Sequence, residues 1–226
     1  KKDFTFPVQC NVGAGLEGVI ACATEIGYVD GPKGWLIYRG IDIFELAEKS
    51  NYEECAYLLL FGRLPNKYEL EHFKYKLSQH RKIPAYVFDV LKHIPIQKTN
   101  PMSALRASVS VLGNLENILD STNAQNRYEI SIKLIAQMAT LVGVIGRYRE
   151  EKKIVKPDPE LHHSADVLYM LTGRVPTPVE EKIMDLCLVL HADHGMNAST
   201  FSAMVVISSL SELYSAIVAG IGSLKG

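Results

Sequence analysis

The sequence predicts a mainly α, multi-helical fold with a small β element at its N-terminal end. Three observations carry this reading. Residues suited to capping a helix recur along the chain at Asp42, Ser50, Asn66 and Thr177, each with a Glu three positions later. After Gly40 the apolar residues recur at helical rather than alternating spacing. Before Gly40, two runs rich in apolar and β-branched residues flank an Asp-Gly-Pro cluster of the kind that marks a turn.

Taken in order, residues 18–27 and 35–39 are expected to be strands around a turn at 28–34. Asp42 with Glu45 predicts a short helix. Ser50 with Glu53 predicts a capping box ahead of Ala56-Tyr-Leu-Leu-Leu-Phe61, and Gly62 supplies the stop. Asn66 with Glu69 opens a helix in which Leu70, Phe73 and Leu77 share one face. A short helix follows over 85–93, and Asn100-Pro101 begins another that runs through Val111. The longest helix spans 127–151 and is apolar from Ile130 to Ile145. Arg147 and Arg149 close it, where cations complement the helix dipole. Lys156-Pro-Asp-Pro159 breaks the chain. His162-His163 reads as the exposed start of a helix that reaches Leu171 before Gly173. Thr177-Pro178-Val-Glu180 then places a cap, a first-turn proline and an acidic third position at one helix start. This helix is expected to turn Ile183, Leu186, Cys187 and Leu190 inward and to deliver His191 and His194 at its end. A final helical pair fills 198–224. No internal repeat, low-complexity tract or long linker interrupts the chain.

Composition narrows the function classes. The 226 residues include 47% hydrophobic and 22% charged side chains, with 24 Lys+Arg against 25 Asp+Glu, a net charge of −1. A chain of this profile builds a substantial core and has no basic surplus to draw a phosphate backbone, so no nucleic-acid partner is expected. The four cysteines, Cys10, Cys22, Cys55 and Cys187, show no paired spacing and no disulfide framework is expected. Cys55 and Cys187 sit in apolar runs and are expected to pack as small hydrophobes. The Lys1-Lys-Asp-Phe-Thr-Phe-Pro7 start carries no apolar signal segment, which fits a cytoplasmic location, or a matrix-like one after processing. Between Gly195 and Leu224 the only charge is Glu212, but the abundant Ser and Thr make that stretch a poor lipid-facing span. It reads as buried helices packed on one another or on a second subunit, with no membrane partner. Gly31, Gly34 and Gly40 are turn glycines and fit no phosphate-binding pattern.

The chemistry concentrates in His191-Ala-Asp-His-Gly-Met-Asn-Ala-Ser-Thr200. His191 and His194 are spaced to share one side of a helix end. Metal binding would need a third protein ligand, and only Asp193 and Asn197 stand near, so no metal is expected. Taken alone, His191 reads as satisfying a local hydrogen bond at the helix terminus. His194 stands at the helix exit beside Gly195, where backbone and ligand can approach closely.

These ten residues resemble the histidine motif with which citrate synthases hold oxaloacetate. Other segments follow in the order of landmarks of the bacterial-type enzymes: Gly15-Leu-Glu-Gly-Val-Ile-Ala, Tyr28-Val-Asp-Gly, Tyr38-Arg-Gly-Ile-Asp, Glu54-Cys-Ala-Tyr-Leu-Leu-Leu-Phe-Gly-Arg-Leu-Pro65, Pro101-Met-Ser-Ala-Leu-Arg106, Pro157-Asp-Pro, Leu168-Tyr-Met-Leu and Leu213-Tyr-Ser-Ala. The resemblance covers nearly the whole chain. It implies an acyltransferase that condenses acetyl-CoA with oxaloacetate to give citrate and CoA, with acetyl-CoA as substrate and no separate cofactor. His194 matches the histidine that hydrogen-bonds oxaloacetate, while His191 and Asn197 match neighbours that shape the pocket behind it. The family's catalytic Asp, its other histidines and its carboxylate-clamping arginines match no position here. In that family Pro-Leu-His-Gly-Gly follows the stretch matching Ile221-Gly-Ser-Leu-Lys-Gly226. Arg39 and Arg106 fall in family-like motifs with no ligand contact attached.

The resemblance thus implies a β-rich segment at 1–40 and an incomplete large helical domain at 41–226. The small domain would lie outside the chain, which alone would be inactive, and the protein would be a homodimer. Two other readings stay open: a 2-methylcitrate synthase using propionyl-CoA, and a non-catalytic dimerising helical scaffold.

Overall fold

The computed structural model describes residues 13, 19–116 and 123–225. Its small sheet is a meander in the order β1 (Gly27–Asp30), β2 (Trp35–Tyr38) and β3 (Ile41–Asp42), antiparallel throughout. A short 3-10 turn over Gly31–Lys33 joins the first two strands, with the Asp30 carboxylate accepting the Lys33 N–H at 3.3 Å. The first strand therefore begins at the last residue of the stretch read as strand and runs into the one read as turn, and residues 19–26 form no strand. Of these, Ile26 reaches the sheet's end, its carbonyl accepting the Arg39 N–H at 2.8 Å, whereas Gly27–Asp30 sits directly opposite Tyr38–Trp35. The sheet is not a separate layer. Tyr38 shares one core with Ile43, Leu46, Cys55, Leu58 and Val189.

Ten helices follow among the described residues: α1 (Ile43–Lys49), α2 (Tyr52–Phe61), α3 (Lys67–His80), α4 (Ala85–His93), α5 (Pro101–Glu116), α6 (Ala124–Arg149), α7 (His163–Thr172), α8 (Pro178–Leu190), α9 (Ala198–Ser208) and α10 (Leu213–Leu224). Their starts obey local capping chemistry. The Asp42 carboxylate takes the Phe44 N–H at 2.8 Å. Asn66 with Glu69 and Thr177 with Glu180 both close full capping boxes. At α2 the box is one residue later than expected, Asn51 with Glu54. Glu53 is excluded from it because it is buried and accepts the His163 N–H at 2.9 Å.

The long helix α6 is the centre of the molecule. Leu134, Leu141 and Val144 face the cluster built with α4, α5 and α10; Ile132 and Ala136 face α2 and α3; Ala139 faces α7. Burial on several sides explains why its sequence is apolar over more than one stripe. The helix is long and apolar enough to cross a membrane, but most of that apolar stretch is buried inside the fold. Close crossing with α7 requires Gly143, where an added Cβ would lie 2.6 Å from the Met170 Cβ.

Two expectations about facing are corrected. Along α8 the buried residues are Asp185 and Val189, while Ile183, Cys187 and Leu190 are exposed and Leu186 is half-buried. Asp185 turns inward because its carboxylate accepts the Tyr52 N–H at 2.9 Å. The apolar stripe of this helix thus faces away from the chain's own core. Likewise only His162 is exposed, donating from Nδ1 to Glu181 at 2.9 Å. His163 is buried and stacks on Tyr52 at 5.0 Å between ring centroids.

Beside it lies a buried ion pair. Arg81 Nη1 stands 3.3 Å from Asp166 Oδ2, both residues almost fully buried. The same guanidinium donates to Asp158 O at 2.7 Å and Leu161 O at 2.9 Å. Asp166 in turn accepts the Asp158 N–H at 2.8 Å. Together they pin the Pro157-Asp-Pro strap to the end of α3 and the start of α7.

Candidate functional site

The histidine segment sits where α8 ends and α9 begins. The last helical residue is Leu190, and His191 occupies the C-cap with φ −106°. Its Nδ1 lies 2.7 Å from the Cys187 carbonyl oxygen, so Nδ1 carries the proton and donates. His194 is therefore not on the helix with it. Three residues farther along, it stands in a turn that closes at Gly195 with φ +72°, a conformation open to glycine at little cost.

The turn is locked from below by one residue that sequence reasoning passed over. Tyr38, fully buried on β2, accepts the Asp193 N–H at 3.1 Å. Its hydroxyl also lies 2.9 Å from Asp193 O, 3.1 Å from Val189 O and 3.4 Å from Leu190 O. One hydroxyl hydrogen serves these carbonyls while the oxygen accepts the amide. Burial pushes the Tyr38 phenol up, so the group stays neutral and able to donate.

Gly27 completes the seat. A Cβ there would lie 2.1 Å from Asp193 Oδ2 and 3.3 Å from Ile37 O. Only glycine lets the turn rest against β1. The seated Asp193 carboxylate accepts the Gly195 N–H at 3.3 Å. A strand-end glycine opposite a buried tyrosine was the available signal for both residues, but it becomes specific only once the register is known.

Asn197 is spent on structure. Its side-chain oxygen accepts the Thr200 N–H at 2.8 Å and the Ser199 hydroxyl at 2.6 Å, capping α9. Of the three expected residues, His191 and Asn197 thus fasten the two ends of the turn. The exposed His194 imidazole makes no hydrogen bond to any described residue. The positive N-terminal end of α9 opens on the same turn, which favours an anion there. Among the described residues no three His, Cys, Asp or Glu side chains converge to hold a metal ion.

The arginines do not gather at this turn. Arg39, in the left-handed region at φ +50°, donates to Leu59 O at 3.1 Å near the end of α2. Arg147 donates to Lys153 O at 2.8 Å and to Thr172 O at 3.2 Å, serving the ends of α6 and α7 as the dipole argument expects. Arg149 donates to Thr99 O at 3.3 Å. Arg106 is exposed and lies beside Gly222 of α10. Four clefts among the described residues share no residue with this turn. The turn presents an exposed imidazole beside a helix N-terminus.

Comparison with known proteins identifies the family. The profile of the family described as "Citrate synthase, C-terminal domain" matches residues 15–226. The citrate synthase of Deinococcus radiodurans is 43% identical over 216 residues, which are 96% of this chain and 57% of that protein. That of Haloferax volcanii is 42% identical over 94% of this chain and 57% of its own length. The chain therefore spans little more than half the length of the relatives it matches. Among solved structures, the citrate synthase of Pyrobaculum aerophilum superposes with a TM-score of 0.88 at 41% identity, covering 94% of this chain and 55% of that one. The Thermoplasma acidophilum enzyme, solved as a ternary complex with carboxymethyl coenzyme A and oxaloacetate, superposes with a TM-score of 0.91 at 28% identity, over 96% of this chain and 56% of its own. With its landmarks in order and its helices superposing, this chain belongs to the citrate synthase family.

Proposed function

We propose that the chain is part of a citrate synthase, which condenses acetyl-CoA with oxaloacetate. In that reaction a base takes a proton from the acetyl methyl group. The resulting enol attacks the keto carbon of oxaloacetate, and water then cleaves the thioester to give citrate and CoA. Within this chain, His194 would donate a hydrogen bond to oxaloacetate, polarising the keto group as carbon attacks it. His191 and Asn197 hold the turn from its two ends. The observation that carries this reading is the exposed His194 imidazole, which makes no hydrogen bond to a described residue, on a turn whose backbone is fastened at Asp193. The oxaloacetate complex of the Thermoplasma relative, on the same fold, supports it. The relatives are mostly named citrate synthase, with one named citrate/2-methylcitrate synthase, which favours acetyl-CoA over propionyl-CoA.

The chain supplies residues 41–226 to the large helical domain, and the catalytic carboxylate and the arginine clamp would come from the polypeptide that its relatives have in addition. The chain alone is expected not to turn over. As a partner, a second copy fits best: α9 buries none of its residues within the chain and leaves Phe201, Val205 and the following Leu210 exposed.

A chimera tests the function. The matched 216 residues would replace their counterpart in the Deinococcus enzyme, and CoA release would be followed with both substrates. We expect citrate formation that falls steeply, with a raised KM for oxaloacetate, in His194→Ala. A chimera that folds and dimerises like its parent yet releases no CoA would refute the assignment.

A further inference from the structure

A second candidate site lies away from the His194 turn. A cleft of 520 Å³ opens between the end of α3, α4, α6 and the strap 154–159. That volume falls within the ~300–1,000 Å³ of small-molecule pockets. Its walls are mostly apolar, with Ile83 from the α3–α4 connection, Phe88 from α4, Val144 from α6 and Ile154, Val155 and Pro157 from the strap. The strap is stiffened by Pro157 and Pro159 and pinned by Arg81 through Asp158 O and Leu161 O. The cleft is therefore built into the fold.

Its charge is one-sided. Lys82 and Lys156 line it, both are exposed, and neither is ion-paired with a described residue. No Asp or Glu is among the lining residues. Arg81, also in the wall, is offset by Asp166, so the net positive potential comes from the two lysines. An apolar slot with unpaired cations at its edge selects a ligand with an apolar body and a negative head.

We propose that this cleft binds a small amphiphilic anion, an aliphatic chain of medium length ending in a single carboxylate. It shares no residue with the His194 turn, so it stands or falls independently of the citrate synthase reading.

The test is calorimetric titration of the purified chain with decanoate, decanol and decyltrimethylammonium. Saturable one-to-one binding of decanoate is expected, with decanol weaker and the cation not bound. Lys82→Glu with Lys156→Glu, both exposed positions, should weaken decanoate about tenfold or more by reversing the rim charge. Val144→Trp should abolish binding by filling the slot. Non-saturable decanoate binding, equal binding of all three probes, or binding that survives both variants would overturn the proposal. If Val144→Trp fails to fold by circular dichroism, a diazirine-bearing decanoate replaces it. Photolabelling confined to peptides carrying Phe88 or Ile154 supports the site, and labelling elsewhere overturns it.

Discussion

Removing the Tyr38 hydroxyl should loosen the histidine turn without disturbing the core around the ring. Tyr38→Phe keeps the buried ring in its cluster with Ile43, Leu46 and Val189, so no cavity term arises. The amide of Asp193, 3.1 Å from the oxygen, loses its acceptor, and the carbonyls at 2.9 and 3.1 Å lose their donor. A part-buried N–H left unpaired costs about 1–3 kcal/mol, and the lost bond is already counted in that range. For a chain of this size, each kcal/mol moves the melting temperature by about 2–4 °C, so a drop of roughly 2–12 °C is expected. The distinguishing readout is local. Amide exchange at Asp193 and Gly195 should accelerate far more than the global change requires, while amides of α6 follow the global change alone. A variant that melts within a degree of the parent, with Asp193 exchange unchanged, would refute the argument that Tyr38 holds the turn.

Other consequences follow from the same geometry. Gly27→Ala must displace the Asp193 carboxylate, since the new Cβ would lie 2.1 Å from Oδ2. It should cost about 1–3 kcal/mol in urea unfolding, as overpacking does. In the native protein, a maleimide should label the exposed Cys22 and Cys187 and spare Cys55, whose thiol burial pushes up to about 12; mass mapping of labelled peptides reads this directly. Burial, and then the charge of Arg81, holds His163 down at about 3. The unfolded chain therefore binds this proton first on acidification, so the contribution of His163 is fully present above its ordinary value near 6.5 and is lost as pH falls towards 3. Asp166, raised by burial, acts with the opposite sign from its ordinary value near 3.8 upward. Urea midpoints should thus fall from pH 7 to pH 4, and less so in His163→Gln.

The sequence was most legible where the deciding interactions are local. The boxes at Asn66 and Thr177, the stop at Gly62 and the bounds of α4 depend on residues within a turn of one another. At α2, Ser50 and Asn51 are both able to cap and both have a Glu three positions on. The tie was broken by a residue 110 positions away, His163, whose amide needed Glu53. The facing of α8 failed for a related reason. Periodicity identifies the apolar side of a helix, but not whether the surface it meets belongs to the same stretch of chain. Ile183 and Leu190 form such a side and point outward, while a polar residue, Asp185, is drawn in beside Val189. His194 was visible through its motif. Its support was not, because Tyr38 and Gly27 reach the neighbouring Asp193 across 155 and 166 positions of sequence and only the β1–β2 register brings them together.

The central proposal is that the exposed imidazole of His194 meets oxaloacetate, and histidine-selective nitrogen NMR tests it most directly. With ring-15N histidine in the chain, oxaloacetate would be titrated against the native protein and Tyr38→Phe. The account predicts a saturable shift of the His194 ring nitrogens, smaller changes at His191, fixed signals from the distant His72 and His93, and weaker binding in the variant. Ring nitrogens of His194 that stay still while oxaloacetate shifts another histidine, or none, would contradict it.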